Sequence, residues 1–251
     1  MDPGWTSVLG WQTGLASLAF LVGTMIQGLL VLDNSDYVFK NWHGTLLVIA
    51  ITAFCIIFNT FLARKLPMVE VVVLVIHLLG FFAILIPLWV LAQRSSPSRV
   101  FTEFLNLGGW STTGLAFIVG LLSPVYTLIR PDSTVHMSEE VRDASLVLPN
   151  AIMWAAGLNG SLGFVMVITF CFTLGDVLDL LETPNPTGYP FIQVFHKATK
   201  SNAATSAMTA ILIVNVTSAC ISTLATVSRQ TWSFARDKGL PFSSYIAHVS
   251  V

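Results

Sequence analysis

Apolar and polar positions fall in long blocks along this chain. Six apolar blocks follow one another: Trp5 to Leu32, Asn41 to Ala63, Leu66 to Gln93, Phe104 to Ile129, Ala144 to Gly175 and Ser201 to Ser228. Glu70, in the third, is the one acidic or basic residue in any of them, His apart. About 20 helical residues cross the hydrocarbon core of a bilayer, so each block is long enough to span one. Core helices of soluble proteins are rarely so long and so free of charge. The pattern predicts an all-α, polytopic membrane helix bundle of about six transmembrane helices, with spans near 7–32, 42–62, 67–92, 107–141 (broken near 130), 150–175 and 201–228. Polar connectors separate them: 33–40, 63–65, 93–99, 139–143 and a longer, turn-rich loop over 176–200, in which FIQVFHKA predicts a short interfacial helix.

Composition agrees. The 251 residues are 54% hydrophobic and 10% charged, with a mean hydropathy of +0.76. A soluble chain carries about 25% charged residues. The net charge of -1 gives no electrostatic case for nucleic acid. The N-terminus MDPGW has no basic region or clear cleavage site, so the first block is not read as a secretory signal. Cys55, Cys171 and Cys220 lie inside apolar blocks without metal-ligand spacing and read as small buried hydrophobes. No nucleophile–base pair, metal cluster or phosphate loop is present, so the sequence argues for neither an enzyme nor a cofactor. Small residues recur in the spans, among them Gly10, Gly14, Ala16, Ala19, Gly157, Gly160 and Gly163, and read as helix packing. Alternating six spans puts Arg64, Lys65, Arg142, Arg229, Arg236 and Lys238 on one side, against Lys40, Arg94, Arg99, Lys197 and Lys200. This bias favours the Arg64 side as cytoplasmic.

The chemistry concentrates at the fourth block. At Arg130-Pro131-Asp132 the apolar run breaks, and helix-compatible residues resume up to Glu139-Glu140. Proline removes a backbone donor and clashes with the turn before it. Broken backbone at membrane depth survives only where protein buries it or where it lines a wet cavity. Asp132 is placed to cap a second piece over Ser133 to Val141. A half-helix starting there would aim free N–H groups at a carboxylate, as discontinuous helices do in secondary transporters. Pattern alone equally allows a loop leaving the membrane at Arg130. That loop would run about 19 residues to Pro149, an uncommon length without structure. His136 lies one turn after Asp132, as a proton relay or as a packed histidine beside a cap. Glu70 and His77 share a face of the third span, where Glu70 could simply snorkel to the interface. Asn215, Thr217, Ser218, Trp11 and Gln12 read as packing hydrogen bonds.

PDSTVHMSEEVRDASLVLPNAI (131–152) closely resembles the sixth-helix signature of the amino acid–polyamine–organocation superfamily, and SRQTWSFARDKGLP (228–241) resembles the segment after its eighth helix. GWQTGLASLAF (10–20), WHGTLL and FLARKLP look like the fungal branch containing GABA and choline permeases. The resemblance implies a partial inverted-repeat fold, with the six spans as helices three to eight, two helices before Met1 and four after Val251. It implies a transporter in the plasma or vacuolar membrane, taking a small amino acid or amine, with proton coupling open. By the same resemblance the substrate would sit at the unwound centre of the fourth span, at Thr127, Leu128, Ile129, Arg130, Pro131, Asp132 and Ser133. Arg130 departs from the small residue usual there: it could hold a substrate carboxylate or mark relaxed constraint. The other reading is a membrane fragment, or an incomplete gene model, that does not transport.

Overall fold

The computed structural model describes residues 3–34, 36–128, 133, 135, 138, 141–182 and 187–248. These residues form helices and connectors, with no strand among them. The protein is therefore an all-α bundle, as the block pattern requires. The long helices are α1 (Pro3–Asp33), α2 (Asn41–Phe61) and α3 (Leu66–Leu91), followed by the short α4 (Pro97–Thr102). Two short pieces come next, α5 (Thr113–Gly120) and α6 (Leu122–Leu128), then α7 (Ala144–Thr173). The short α8 (Val177–Glu182) and α9 (Pro190–Thr199) precede the longest helix, α10 (Asn202–Arg236), and α11 (Ser243–Ile246). Among the described residues, five helices are long and apolar enough to cross a membrane. Their outer faces carry many exposed large apolar side chains, such as Phe54, Ile57, Val72, Leu79, Trp154 and Phe164. Such faces are costly in water and ordinary in lipid.

The helix boundaries have local causes. α4, α5 and α10 start where the side chains of Ser96, Thr112 and Ser201 accept from the amides of Arg99, Leu115 and Ala204, satisfying donors that a helix start leaves orphaned. The fourth helix begins at Thr113, later than the expected 107, because Leu107 to Trp110 form turns in which Asn106 accepts from the Trp110 amide and donates to its carbonyl. It is interrupted at Leu121. Pro124 has no N–H to give Gly120, four residues back, so the ladder loses a rung there. The expected break near 130 falls on Ile129 to Asp132, outside the described residues. α7 starts at Ala144, six residues ahead of the expected 150, and carries Pro149 within its second turn.

The chain divides into two compact units. The first holds residues 1–84 and 181–251. Its core is α1, α2 and α10, each packed on the other two. α1 and α10 run antiparallel over their full length. At one end Trp5 meets Phe234 edge-on at 5.8 Å, and Gln230 donates to Ser7. At the other end Asn202 donates to the Leu32 carbonyl at 3.0 Å, and Ser206 to the Asp33 carboxylate at 3.2 Å. Leu18, Ala19, Val22, Ile51, Cys55, Cys220 and Ile221 fill the seam between the three helices. The helix expected over FIQVFHKA is α9, and it is a core element of this unit: Ile192, Val194, Phe195 and Ala198 are buried. Tyr189, just before it, shares a 2.5 Å hydrogen bond with Thr24 of α1. The second unit, residues 85–180, holds α4 to α7 and the end of α3. There Trp89 donates to Thr169 at 2.9 Å, and Phe172 packs on both Trp89 and Phe101.

Small residues divide into two groups. A methyl at Gly28 would lie 2.9 Å from the Thr187 carbonyl oxygen and 3.1 Å from Ile192, whereas one at Gly10 meets nothing within 4 Å. Gly157, Gly160 and Gly163, grouped with Gly10 by sequence, also face open space. Gly28→Ala is therefore expected to lower stability in detergent by about 1–3 kcal/mol through overpacking. Gly10→Ala should raise it by up to about 1 kcal/mol through helix propensity. Thermal unfolding of the two purified variants checks both signs.

Candidate functional site

The family resemblance implies a substrate position at residues 127–133. Thr127 and Leu128 close α6. Ile129, Arg130, Pro131 and Asp132 lie outside the described residues, as do His136, Glu139 and Glu140. Ser133 is described, half-buried, and has 3-10 geometry, as do Val135 and Ser138. The chain then turns through Val141, whose amide donates to the Ser138 carbonyl at 3.3 Å. It enters α7 from Asp143 in the left-handed region, at φ 54°. From Thr113 to Leu128 the helical rise is about 24 Å, against about 30 Å of hydrocarbon.

Around the α1–α2–α10 seam the polar groups are few and placed. Glu70, on α3, accepts from the Ser222 hydroxyl of α10. The carboxylate is exposed at the protein surface, so the hydroxyl is its link to the bundle. An ionisable side chain within a span is costly and normally finds such a partner. Asn59, on α2, donates both to Cys55 O of its own helix and to Ile221 O of α10, each at 3.0 Å. Gln27 of α1 is buried near Gly44 of α2. The buried threonines of α10 turn inward on their own helix: Thr205, Thr209 and Thr226 donate to the carbonyls of Ser201, Thr205 and Ser222. Asn215 and Thr217 do the same with Ile211 and Ile213. These side chains satisfy themselves locally, and α10 carries polar residues through the bundle at little cost.

In the second unit, Arg99 is held between two carboxylates, Glu103 at 2.9 Å and Asp176 at 3.6 Å. Arg99 and Glu103 line a shallow hollow together with Ser95, Cys171 and Val177. Arg94 stacks over Trp89, its guanidinium 5.6 Å from the ring centroid. These are exposed pairs, worth little in stability. Among the described residues no group of three metal-ligating side chains comes together.

Helices of this length, charge and packing define a polytopic integral membrane protein. A family model described as amino acid permease matches residues 3–251. The chain belongs to that family, which is one of membrane permeases and not of enzymes. It is similar to a Macrophomina phaseolina protein described as an amino acid/polyamine transporter, 32% identical over 248 residues, covering 98% of this chain and 54% of that protein. It is also similar to a choline transporter of Saccharomyces cerevisiae, 31% identical over 238 residues, covering 94% and 42%. A swainsonine transporter of Arthroderma benhamiae is 25% identical over 252 residues, covering 97% and 48%. The chain thus spans about half the length of the curated relatives it matches. No solved structure matches it.

Asn59 and Ser222 are among the tertiary contacts that sequence reasoning passed over. Their signal was present, an amide in a charge-free block and a hydroxyl four residues after Ser218, but nothing in one sequence says which helix receives them. Interhelical hydrogen bonds in membrane bundles are worth about 0.6 kcal/mol on average and up to about 1.7. Asn59→Ala is expected to lower stability by an amount in that range. Thr60→Ala, whose hydroxyl returns to Ile56 O of its own helix, should change it by less. Denaturant titration in mild detergent compares them.

Proposed function

We propose that this chain forms part of a permease for amino acids or related amines, and that the segment from Thr127 to Ser133 contributes half of the substrate site. Family membership over residues 3–251 carries the reading. The relatives described as amino acid/polyamine, choline and swainsonine transporters support a small nitrogenous solute. They leave GABA as one member of that class. The fungal relatives fit a plasma or vacuolar membrane.

Topology supports placing the fourth segment across the bilayer. α1 and α10 are antiparallel, so an even number of crossings must lie between them. α2, α3 and α7 are three helices of spanning length; the fourth crossing then falls to the segment that starts with α5 and α6. That segment is α-helical to Leu128 and has 3-10 geometry at Ser133. A helix that ends within the membrane exposes carbonyls, and one that starts there exposes N–H groups. On this reading the N–H end receives the solute carboxylate, Asp132 caps it, and Arg130 is close enough in sequence to add a cation.

In a chain extended to the length of its relatives, Asp132→Ala should reduce uptake of labelled amino acid or choline about fivefold, the equivalent of one lost cap at about 1 kcal/mol. Wild-type uptake in that variant, at equal protein level, would contradict the site. The 251 residues reconstituted by themselves are expected to give no concentrative uptake, and saturable uptake by them would overturn the half-site reading.

A further inference from the structure

We propose that Cys55 and Cys220 form a dithiol site that peroxide closes into a disulfide, joining α2 to α10. The two thiols come from different helices and lie within interaction range of one another. Neither is in a disulfide, and both are almost wholly buried, at 1% and 0% exposure. They sit in the same apolar seam, among Leu18, Ala19, Val22, Ile51 and Ile221. The helices approach closely at that level and are pinned there: Asn59, one turn beyond Cys55, donates to the carbonyl of Ile221, the residue after Cys220. A disulfide needs sulfurs facing each other across close backbones, and the pin holds this register. Cys171, the third cysteine, lies on α7, is exposed and belongs to the other unit, so it serves as an internal comparison.

The chemistry balances with peroxide as oxidant. One thiolate attacks a peroxide oxygen, forming a sulfenic acid and releasing hydroxide. The second thiol then condenses with the sulfenic acid, forming the S–S bond and releasing water. In sum, two thiols and one hydrogen peroxide give one disulfide and two waters. Both thiols are closed off from solvent, so the first step waits on local opening of the helix pair and is slow. The apolar seam favours the product, which is neutral and apolar and leaves no polar hydrogen behind. The partner thiol stands where it captures the sulfenic acid before further oxidation. The pair is thus a modification site that fixes α2 to α10, two of the three helices of the core.

The test uses the purified chain carrying Cys171→Ala, which removes the exposed thiol and any link between molecules. After incubation with hydrogen peroxide the protein is denatured, blocked with N-ethylmaleimide and analysed by intact and peptide mass spectrometry. A loss of two hydrogens, no maleimide uptake and a linked peptide pair containing Cys55 and Cys220 are expected. Asn59→Ala should slow the linkage severalfold by loosening the register. Two maleimides on the peroxide-treated protein, or unlinked sulfinic acid at either cysteine, would overturn the proposal.

Discussion

The seam between α1 and α10 is the constraint on which the rest of this structure depends. Two helices of 31 and 35 residues lie antiparallel and are tied at both ends, by Gln230 to Ser7 and by Asn202 and Ser206 to the last turn of α1. In lipid there is no hydrophobic drive between helices, because the tails are as apolar as leucine. Close packing of small side chains and a few satisfied polar groups must do the work instead. Ala19 and Cys220 supply the first, and Asn59 supplies the second where α2 joins. Once α1 and α10 are antiparallel, the number of crossings between them is fixed in parity, and on the proposed reading α5 and α6 take on a topological duty that their length does not reveal.

On that reading, a stretch whose sequence disfavours helix, Arg130-Pro131-Asp132, belongs to a crossing segment. A continuous apolar rod needs no neighbours to satisfy its backbone. An interrupted one does, and its free amides and carbonyls are available to a solute. Pro124 already removes one rung at Gly120, and Pro131 follows two turns later. The fourth segment is thus weakened in its amino-acid sequence before any ligand is considered, whereas α7 and α10 carry their polar residues at little expense by returning hydroxyls to their own carbonyls.

Much of the fold was legible in the blocks of apolar residues. Blocks one, two, three, five and six became α1, α2, α3, α7 and α10 with ends shifted by a turn or two, since length and absence of charge are one-dimensional properties. Boundaries set by local chemistry were less legible: Thr112 caps α5 eight residues inside its apolar block, and Pro149 sits within α7 instead of before it. α9 was visible as a helix but not as a core element, because burial of Ile192 and Phe195 depends on where Gly28 and Tyr189 stand in space. The resemblance carried by residues 131–152 and 228–241 led to the permease family, and the match over residues 3–251 bears it out. The candidate site rests on that resemblance and on the break at Arg130-Pro131-Asp132, most of which lies outside the described residues.

The central claim is that the interrupted segment after Thr113 crosses the bilayer. Single cysteines placed at Ser98 and at Arg142, in a chain whose native cysteines are replaced by serine or alanine, report it directly through labelling by an impermeant maleimide in sealed, oriented vesicles. The account predicts that only one of the two positions labels from outside and that the other labels after permeabilisation. Labelling of both from the same side would contradict it, because the segment between them would then enter and leave the membrane by one face.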